Sequence, residues 1–358
     1  DIILGDNGEL IFDETLALSE LNPVAAALKA AIDNGEISDP GRNLATLDVI
    51  RTLDVHLGEA DIITAQLDDD LILAGRGGDV VSAGLNNDMV IGDFGRMELL
   101  NNIVRYATIT DNLEGGGDTI YGDEHEDVLI GGAGADRIDG DNILDTLDPN
   151  RDNSGRDLIF GDNVTLDRIR DLSIGSNAFG DFTDPRFRLV DPDTGQLYGS
   201  ALNPGADGAA LYDGDDATAD NARNPDDQQD FAFGQLDPDL YPVWRDFDIT
   251  LLDHDLATET FKGNNFGDDV IAGGGRQDMI FGQLGDDIIQ GDGGLSVVAD
   301  ASRADGIIAN TAGTYGLLTV TPSFEASSDD DDYIEGNGGN DVIFGGLGQD
   351  DIIGDNSD

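Results

Sequence analysis

Aspartates that recur every nine residues constrain the fold of this chain more than any other feature. They occur in phased runs of three or four, with Asp157 standing alone between two runs. Two residues after each aspartate the chain carries Ile, Leu or Val, in all fourteen cases. A strand of about three residues cannot bury one apolar side chain alone, so successive units must coil and stack around a shared interior. The aspartates are Asp61, Asp70, Asp79, Asp88, Asp118, Asp127, Asp136, Asp157, Asp269, Asp278, Asp287, Asp332, Asp341 and Asp350.

Glycines mark the turns between these strands. Units such as GGAGADRID (131–139) and GGLGQDDII (345–353) place glycine where a tight turn needs a positive φ angle, and then continue as alternating strand. Turn and strand therefore alternate every nine residues, which predicts an all-β coil of short strands.

The charge of the chain indicates what such a coil needs in order to fold. The 358 residues include 75 acidic and 18 basic side chains, a net charge of −57, so nucleic acid is excluded as a partner. A polyanion of this density repels itself in the compact state and needs high salt or bound cations. Halophilic adaptation agrees with the presence of only two lysines, Lys29 and Lys262. It would, however, scatter acidic residues, whereas the nine-residue register favours cation ligation.

The unit resembles the G-G-x-G-x-D-x-U-x repeat, where U is aliphatic, of the RTX (repeats-in-toxin) haemolysin-type calcium-binding family. The resemblance implies an all-β parallel β-roll, a β-solenoid in which two units make one turn and Ca²⁺ lies between stacked turns. Backbone carbonyls and the sixth-position aspartate are the ligands in that family. By this match the fourteen aspartates named above are ligands for multiple Ca²⁺ ions, with Asp1 and Asp145 as outliers of the same pattern.

Departures from the repeat predict unequal sites. A left-handed turn at the fourth position is tolerated by Asn and Asp but poorly by Glu, His and Arg, so weaker binding is expected where those stand. For any single aspartate an Asx turn is the alternative interpretation. Carboxylates and turn carbonyls suit Ca²⁺ better than Mg²⁺, which demands a tighter octahedron. The tolerant residues are Asp68, Asn86 and Asp330, and the others are Glu59, His125 and Arg276.

A larger module recurs four times along the chain. After each run a unit opens with Gly-Asp and loses its sixth-position aspartate, as in GDFGRM (92–97), so the coil should exit there. A β-like stretch such as YATITD (106–111) precedes each re-entry, and IRTLDV (50–55), DITLLD (248–253) and LLTVTP (317–322) occupy the equivalent places. Runs of three or four units would leave each end unit with one stacked neighbour. The modules are 1–91 (helix 22–34, repeats 56–91), 92–160 (repeats 113–139 and 152–160), 161–290 (insertion 161–262, repeats 264–290) and 291–358 (insertion 291–326, repeats 327–353, start of a further module 354–358).

The insertions carry the remaining predicted elements. Asn22 as cap, Pro23 at the first helical position and the Asn34-Gly35 stop predict one short helix. In the long insertion, 187–199 is typical of a hairpin around a polar turn. The DPDTG sequence there is no EF-hand, because Leu202 stands where the twelfth loop position needs Glu.

No motif indicates an enzyme. Of the three histidines, His56 and His125 lie inside repeat units, and His254 has no second histidine nearby to complete a zinc site. There is no H-E-x-x-H, G-x-S-x-G or Walker sequence, and no cysteine. The sequence contains no run of about eighteen apolar residues, so no membrane span is predicted.

We therefore expect a calcium-dependent structural segment of a secreted or cell-surface bacterial protein, such as a fibre, sheath or adhesin. The opening DIILGDN and closing DIIGDN share nearly the same phase, which favours a slice of a tandem array and contacts with neighbouring modules or self-association. One alternative is the calcium-folding module of a type I secreted toxin, protease or lipase. The other is a carbohydrate-binding surface protein using the insertion 161–262, whose aromatics either stack on sugars or pack its own core. Those aromatics are Tyr198, Tyr212, Tyr241 and Trp244.

Overall fold

The computed structural model places the chain in two compact units, one formed by residues 1–165 with 250–358 and the other by Leu166–Ile249. All strands of the coil belong to the first unit. The described residues are 1–11, 47–54, 56–100, 103–111, 114–141, 155–167, 244, 247–252, 266–303, 308–310, 313–315, 318–324, 329–348 and 350–354.

Two parallel sheets form a roll. We call the eight-stranded one the covered sheet and the seven-stranded one the open sheet. The covered sheet contains, in spatial order, β1 (Ile2–Leu4), β5 (Leu71–Leu73), β7 (Met89–Ile91), β11 (Val128–Ile130), β13 (Leu158–Phe160), β17 (Met279–Leu284), β23 (Tyr333–Gly338) and β25 (Asp351–Ile353). The open sheet contains β4 (Ile62–Thr64), β6 (Val80–Leu85), β10 (Thr119–Glu124), β12 (Arg137–Asp139), β16 (Val270–Gly274), β18 (Ile288–Asp292) and β24 (Val342–Phe344).

The chain alternates between the two sheets through all fifteen of these strands. Each strand pairs in parallel with the strand two places along, so two nine-residue units make one turn and the predicted parallel β-roll is confirmed. The alternation continues across every insertion, since β12 pairs with β16 and β13 pairs with β17. The expectation that units beside an insertion have only one stacked neighbour was therefore wrong. The runs form one continuous stack.

The interior of the roll is the column of aliphatic side chains that the repeat predicts. Each lies in register with the next, as Val90 does with Leu129 and Leu129 with Ile159. Twelve of the fourteen predicted aliphatics are buried there, Ile343 is partly buried, and Ile352 in the last strand is 46% exposed. The buried twelve are Ile63, Ile72, Val81, Val90, Ile120, Leu129, Ile138, Ile159, Ile271, Ile280, Ile289 and Ile334.

The outer faces of the two sheets differ. The outward side chains of the covered sheet are mostly large, apolar and buried, and Phe160 stacks on Phe281 with ring centroids 5.1 Å apart. On the open sheet Ile62 is 83% and Val80 41% exposed. Part of the open sheet is covered near its far end, where the N–H of Ala299 donates to Oε1 of Gln290 over 2.8 Å.

An antiparallel side sheet is built from the roots of three insertions. Gly95 of this sheet lies against the outer face of the covered sheet, because an added Cβ would come within 2.7 Å of Ile91 Cδ1 and 3.1 Å of Leu73 Cδ2. Thr108 and Thr165, on two neighbouring strands, share a hydrogen bond of 2.7 Å. In spatial order the strands are β2 (Gly8–Ile11), β3 (Val49–Thr52), β8 (Gly95–Leu100), β9 (Ile103–Ile109), β14 (Val164–Asp167) and β15 (Asp248–Leu251).

The predicted re-entry strands are present as β3, β9, β15 and β22 (Leu318–Thr321). The last pairs with β19 (Asp300–Arg303), and β20 (Ile308–Asn310) pairs with β21 (Gly313–Tyr315). The predicted helix 22–34 and hairpin 187–199 lie outside the described residues. The described part of the chain contains no helix, and accordingly no helix that could cross a membrane.

The second compact unit is described at few positions. Trp244 and Phe247 are both buried, at 2% and 3% exposure, and the N–H of Phe247 donates to the carbonyl of Trp244 over 3.1 Å. Trp244 therefore packs inside the protein instead of offering an open stacking surface. Of the four aromatics considered for sugar binding, the three tyrosines lie outside the described residues.

Candidate metal centre

The repeat aspartates form two ladders, one along each row of turns. In every step the backbone N–H of one aspartate donates to Oδ1 of the aspartate in the next turn on the same side, over 2.6 to 3.2 Å. The ladder that precedes the open sheet runs Asp61, Asp79, Asp118, Asp136, Asp269, Asp287 and Asp341. The ladder that precedes the covered sheet runs Asp70, Asp88, Asp127, Asp157, Asp278, Asp332 and Asp350.

The second carboxylate oxygen of most ladder aspartates is buried without a hydrogen-bond donor. Eleven of the fourteen aspartates are at most 2% exposed, and in each of them Oδ2 lacks a partner. A buried, uncompensated carboxylate oxygen is strongly unfavourable, so such an atom in eleven units fits a positively charged partner. The eleven are Asp70, Asp79, Asp88, Asp118, Asp127, Asp136, Asp157, Asp269, Asp278, Asp287 and Asp332.

In most units a glycine at the first position makes room beside that oxygen, and in the units of Asp70, Asp79 and Asp88 the first residue is alanine. A Cβ added to Gly92 would collide with Asp118 Oδ2 and with the carbonyl oxygen of Gly131 in the next turn. The carboxylate and the carbonyl therefore flank one small space, which the glycine at position 92 leaves open. The same pair of oxygens meets the first glycine in seven further units, at Gly122, Gly131, Gly140, Gly161, Gly273, Gly282 and Gly291.

The electrostatics of these carboxylates favour a bound cation. Burial raises the pKa of Asp118 to about 9, with the charge of Asp136 as a further cause. Burial likewise raises the pKa of Asp88 and of Asp287 to about 8, and that of Asp127 well above its usual range. Stacked carboxylates of this kind cannot all be ionised near neutral pH unless positive charge lies between them.

The donor set fits Ca²⁺. Within the described residues no three His, Asp or Glu side chains converge on a point, so a cation here must draw much of its coordination from backbone carbonyls. Carboxylate and carbonyl oxygens in a flexible arrangement are the ligands that Ca²⁺ prefers. The ladder aspartates and the glycine carbonyls of the turns would hold the ion, and when bound it would supply the charge that the carboxylates lack.

The fourth position has two backbone forms in the nine units that contain no insertion. In the other five units it has no positive φ angle, so the left-handed turn expected at Glu59 and Asp330 was wrong. Glycines take φ angles of about 140 to 156°, as Gly134 does at 143°. His125 and Arg276 instead take φ angles of 82° and 75°, in the left-handed region that any L-residue can enter at some cost. The ladder aspartates of these two units, Asp127 and Asp278, are buried, and their Oδ2 atoms have no hydrogen-bond donor, as in the other buried ladder aspartates. Weaker binding at these two turns stays a prediction, since their burial matches that of other units.

The ends and outliers of the ladders are less enclosed. Asp61, Asp341 and Asp350 are only partly buried. Asp1 occupies the equivalent place before β1, where its carbonyl accepts the N–H of Leu71 over 3.1 Å. Asp145 lies outside the described residues. His56 and His125 are exposed turn residues.

Sequence reasoning missed a second set of aspartates. The Gly-Asp pairs at 5–6, 92–93, 161–162 and 291–292 were recognised as exits, but their carboxylates were given no role. A fifth exit, at 140–141, was not recognised. The Gly-Asp dipeptide that recurs at each exit was the sequence signal that could have identified these aspartates.

Comparison with known proteins agrees with this geometry. A protein-family model described as the RTX calcium-binding nonapeptide repeat matches the chain in four copies, at residues 58–96, 114–143, 264–297 and 327–358. The chain carries RTX calcium-binding repeats. No curated protein and no solved structure gave a significant match. The residues 155–160, which contain β13, lie outside the matched ranges, yet β13 is paired within the covered sheet.

Proposed function

We propose that this RTX chain is a non-enzymatic, calcium-folded scaffold of a secreted or cell-surface bacterial protein such as a fibre, sheath or adhesin. The observation that carries the proposal is the double ladder of aspartates, eleven of them buried with an unpartnered Oδ2, which in eight units faces a glycine and a backbone carbonyl. One divalent ion per ladder aspartate would offset about half of the net charge of −57. The ions would make the roll rigid, and the insertions would be displayed on it.

The calcium level decides where such a scaffold folds. Extracellular calcium modules typically bind at roughly 10⁻⁴ to 10⁻³ M, far above the resting cytosolic level. A chain that stays unfolded inside the cell and folds outside suits export by a type I system, which the family resemblance implies.

The first experiment is calcium titration of the full chain followed by circular dichroism and calorimetry. We expect a coil spectrum in EDTA, a β spectrum at millimolar calcium, and several ions bound per chain. A chain fully folded in EDTA would refute the proposal.

Ligand assignment is tested with an adjacent pair of aspartates. Asp287 is buried in a ladder, whereas Asp286 is exposed and accepts hydrogen bonds from Asn340 over 2.9 Å. Asp287→Asn should lower the number of ions bound, and Asp286→Asn should leave it unchanged. Equal stoichiometry in both variants would remove the ladder aspartates as ligands.

A further inference from the structure

Each insertion interrupts one nonapeptide unit at the same point. The chain leaves the roll after the second residue of the unit and returns near the fourth, so the two halves together supply the turn and the following strand. In each case two residues before the insertion and six residues after it belong to the unit. With one further residue at the third position, the unit has nine residues. The split units are 5–6 with 59–64, 92–93 with 116–121, 140–141 with 155–160, 161–162 with 267–272, and 291–292 with 330–335.

The split units keep the cation cradle. In the unit split by residues 94–115, Gly92 from the first half meets Asp118 Oδ2 from the second half and the carbonyl of Gly131. In the uninterrupted unit that follows on that side, Gly131 meets Asp136 Oδ2 in the same way. The insertions therefore lengthen a turn without displacing the oxygens that face the cation.

The backbone at the second residue separates the split units from all but one of the uninterrupted units. In all five split units the second residue is aspartate, and we call these residues the root aspartates: Asp6, Asp93, Asp141, Asp162 and Asp292. In eight of the nine uninterrupted units the same position has a positive φ angle, as at Gly132 (φ 116°) and Asp123 (φ 80°), and Gln66 is the exception. No root aspartate is among the described residues with a positive φ angle.

The root aspartates share one hydrogen bond. Oδ2 of each accepts the backbone N–H of the third residue in the next unit on its own side of the roll, over 2.5 to 2.8 Å. The five donors are Arg76, Ala133, Gly275, Leu284 and Leu347.

Two root aspartates also bind the returning chain. Oδ1 of Asp93 accepts the N–H of Gly116 over 3.1 Å, and Oδ1 of Asp141 accepts the N–H of Gly155 over 2.9 Å. Both donors are the fourth residue of the same split unit. A single carboxylate thus ties the outgoing chain, the returning chain and the neighbouring turn together.

We infer that the root aspartates are positioning residues that hold the two ends of each insertion in register, and that each insertion is a guest within one complete nonapeptide unit. The inference rests on the proposed calcium-folded scaffold and names how its insertions are attached. Because both oxygens of Asp93 and Asp141 already accept backbone N–H groups, these carboxylates act through the turns, in contrast to the ladder aspartates.

Removal of an insertion tests whether the split unit can form without it. In the full chain, residues 142–154 are replaced by one glycine, so that Gly140-Asp141 joins Gly155-Arg156-Asp157 in a unit of nine residues. We expect a calcium-dependent β spectrum and a number of bound ions equal to those of the parent chain. Loss of one or more ions, or loss of the β spectrum at millimolar calcium, would overturn the inference. The parent chain measured alongside reports separately on the calcium scaffold.

A point variant tests the positioning role. Asp93→Asn replaces one acceptor oxygen by an amide donor, so one of the two hydrogen bonds must be lost. We expect amide exchange at Gly116 or Ala133 to become about tenfold faster in calcium, with the number of bound ions unchanged. Asp123→Asn is the matched control, since Asp123 is also a second-position aspartate but belongs to an uninterrupted unit; it should leave both amides unaffected. Unchanged exchange in Asp93→Asn, or loss of an ion, would overturn the assignment.

Discussion

The covered and open sheets are made from the same repeat and share one interior, yet their outer faces differ. Position seven and position nine of each unit point outward. In the covered sheet they are pairs such as Met279 and Phe281, each 1% exposed. In the open sheet the pair Ile62 and Thr64 is exposed. The repeat thus specifies interior and turn, whereas the residues beside the aliphatic decide what each face contacts.

Calcium removal should have the largest effect, and it should abolish the difference between the sheets. Ladder aspartates precede both sheets, and buried Oδ2 atoms occur in both ladders. The outer burial of the covered sheet cannot offset repulsion along its own ladder, so both sheets should unfold in EDTA. Hydrogen exchange by mass spectrometry should show loss of protection in 128–130 of the covered sheet and in 119–124 of the open sheet. Protection surviving in the covered sheet alone would show that its outer contacts suffice.

Truncation of one outward side chain in each sheet sharpens the comparison. Ile130 is fully buried on the covered sheet, and Ile62 is 83% exposed on the open sheet. At fixed calcium, Ile130→Ala should lower the free energy of unfolding by about 2 to 5 kcal/mol. Ile62→Ala should change it by at most about 0.5 kcal/mol. Equal effects in thermal or denaturant unfolding would mean that the two faces do not differ energetically.

Much of this architecture could be predicted because the decisive signals are local. The nine-residue phase identifies the ladder aspartates and the aliphatic column, and glycine followed by aspartate marks four exits. Continuity of the stack could not be predicted, because pairing such as that of β12 with β16 depends on contacts across more than a hundred residues. The exit at Asp141 was missed because the following unit, with Asp157, stands alone in the sequence.

The difference between the sheets was also present in the sequence but hidden. Units with large apolar outward residues alternate with units that lack them. The pattern is therefore visible only when successive units are assigned alternately to the two sheets. Insertions interrupt that count, and the alternation is restored only by knowing that each insertion lies within one unit. Burial of the outer face depends further on the side sheet, whose strands come from three separate insertions.

Acidification in EDTA should have a smaller effect, equal in both ladders. Burial raises the pKa of Asp79 from 3.8 to about 6, of Asp136 to about 7 and of Asp88 to about 8. The folded state therefore binds protons more tightly than the unfolded state, and the stability of the calcium-free roll should rise as pH falls from about 8 to 4. Circular dichroism in EDTA should show more β structure at pH 4 than at pH 7.5. The opposite trend would contradict the burial of these carboxylates.

The smallest effect is expected at the fourth position of the turns. His125, in a turn that enters the covered sheet, has a φ angle of 82°, which glycine adopts without strain. His125→Gly should therefore raise stability by about 0.5 to 1 kcal/mol, because relief of strain exceeds the added freedom of the unfolded chain. Gly134, in a turn that enters the open sheet, has a φ angle of 143°, and a Cβ there would collide with the carbonyl of Gly116. Gly134→Ala should be destabilising for that reason, and calorimetric unfolding at fixed calcium compares the two. A destabilised His125→Gly would show that the imidazole makes a contact worth more than the strain of its turn.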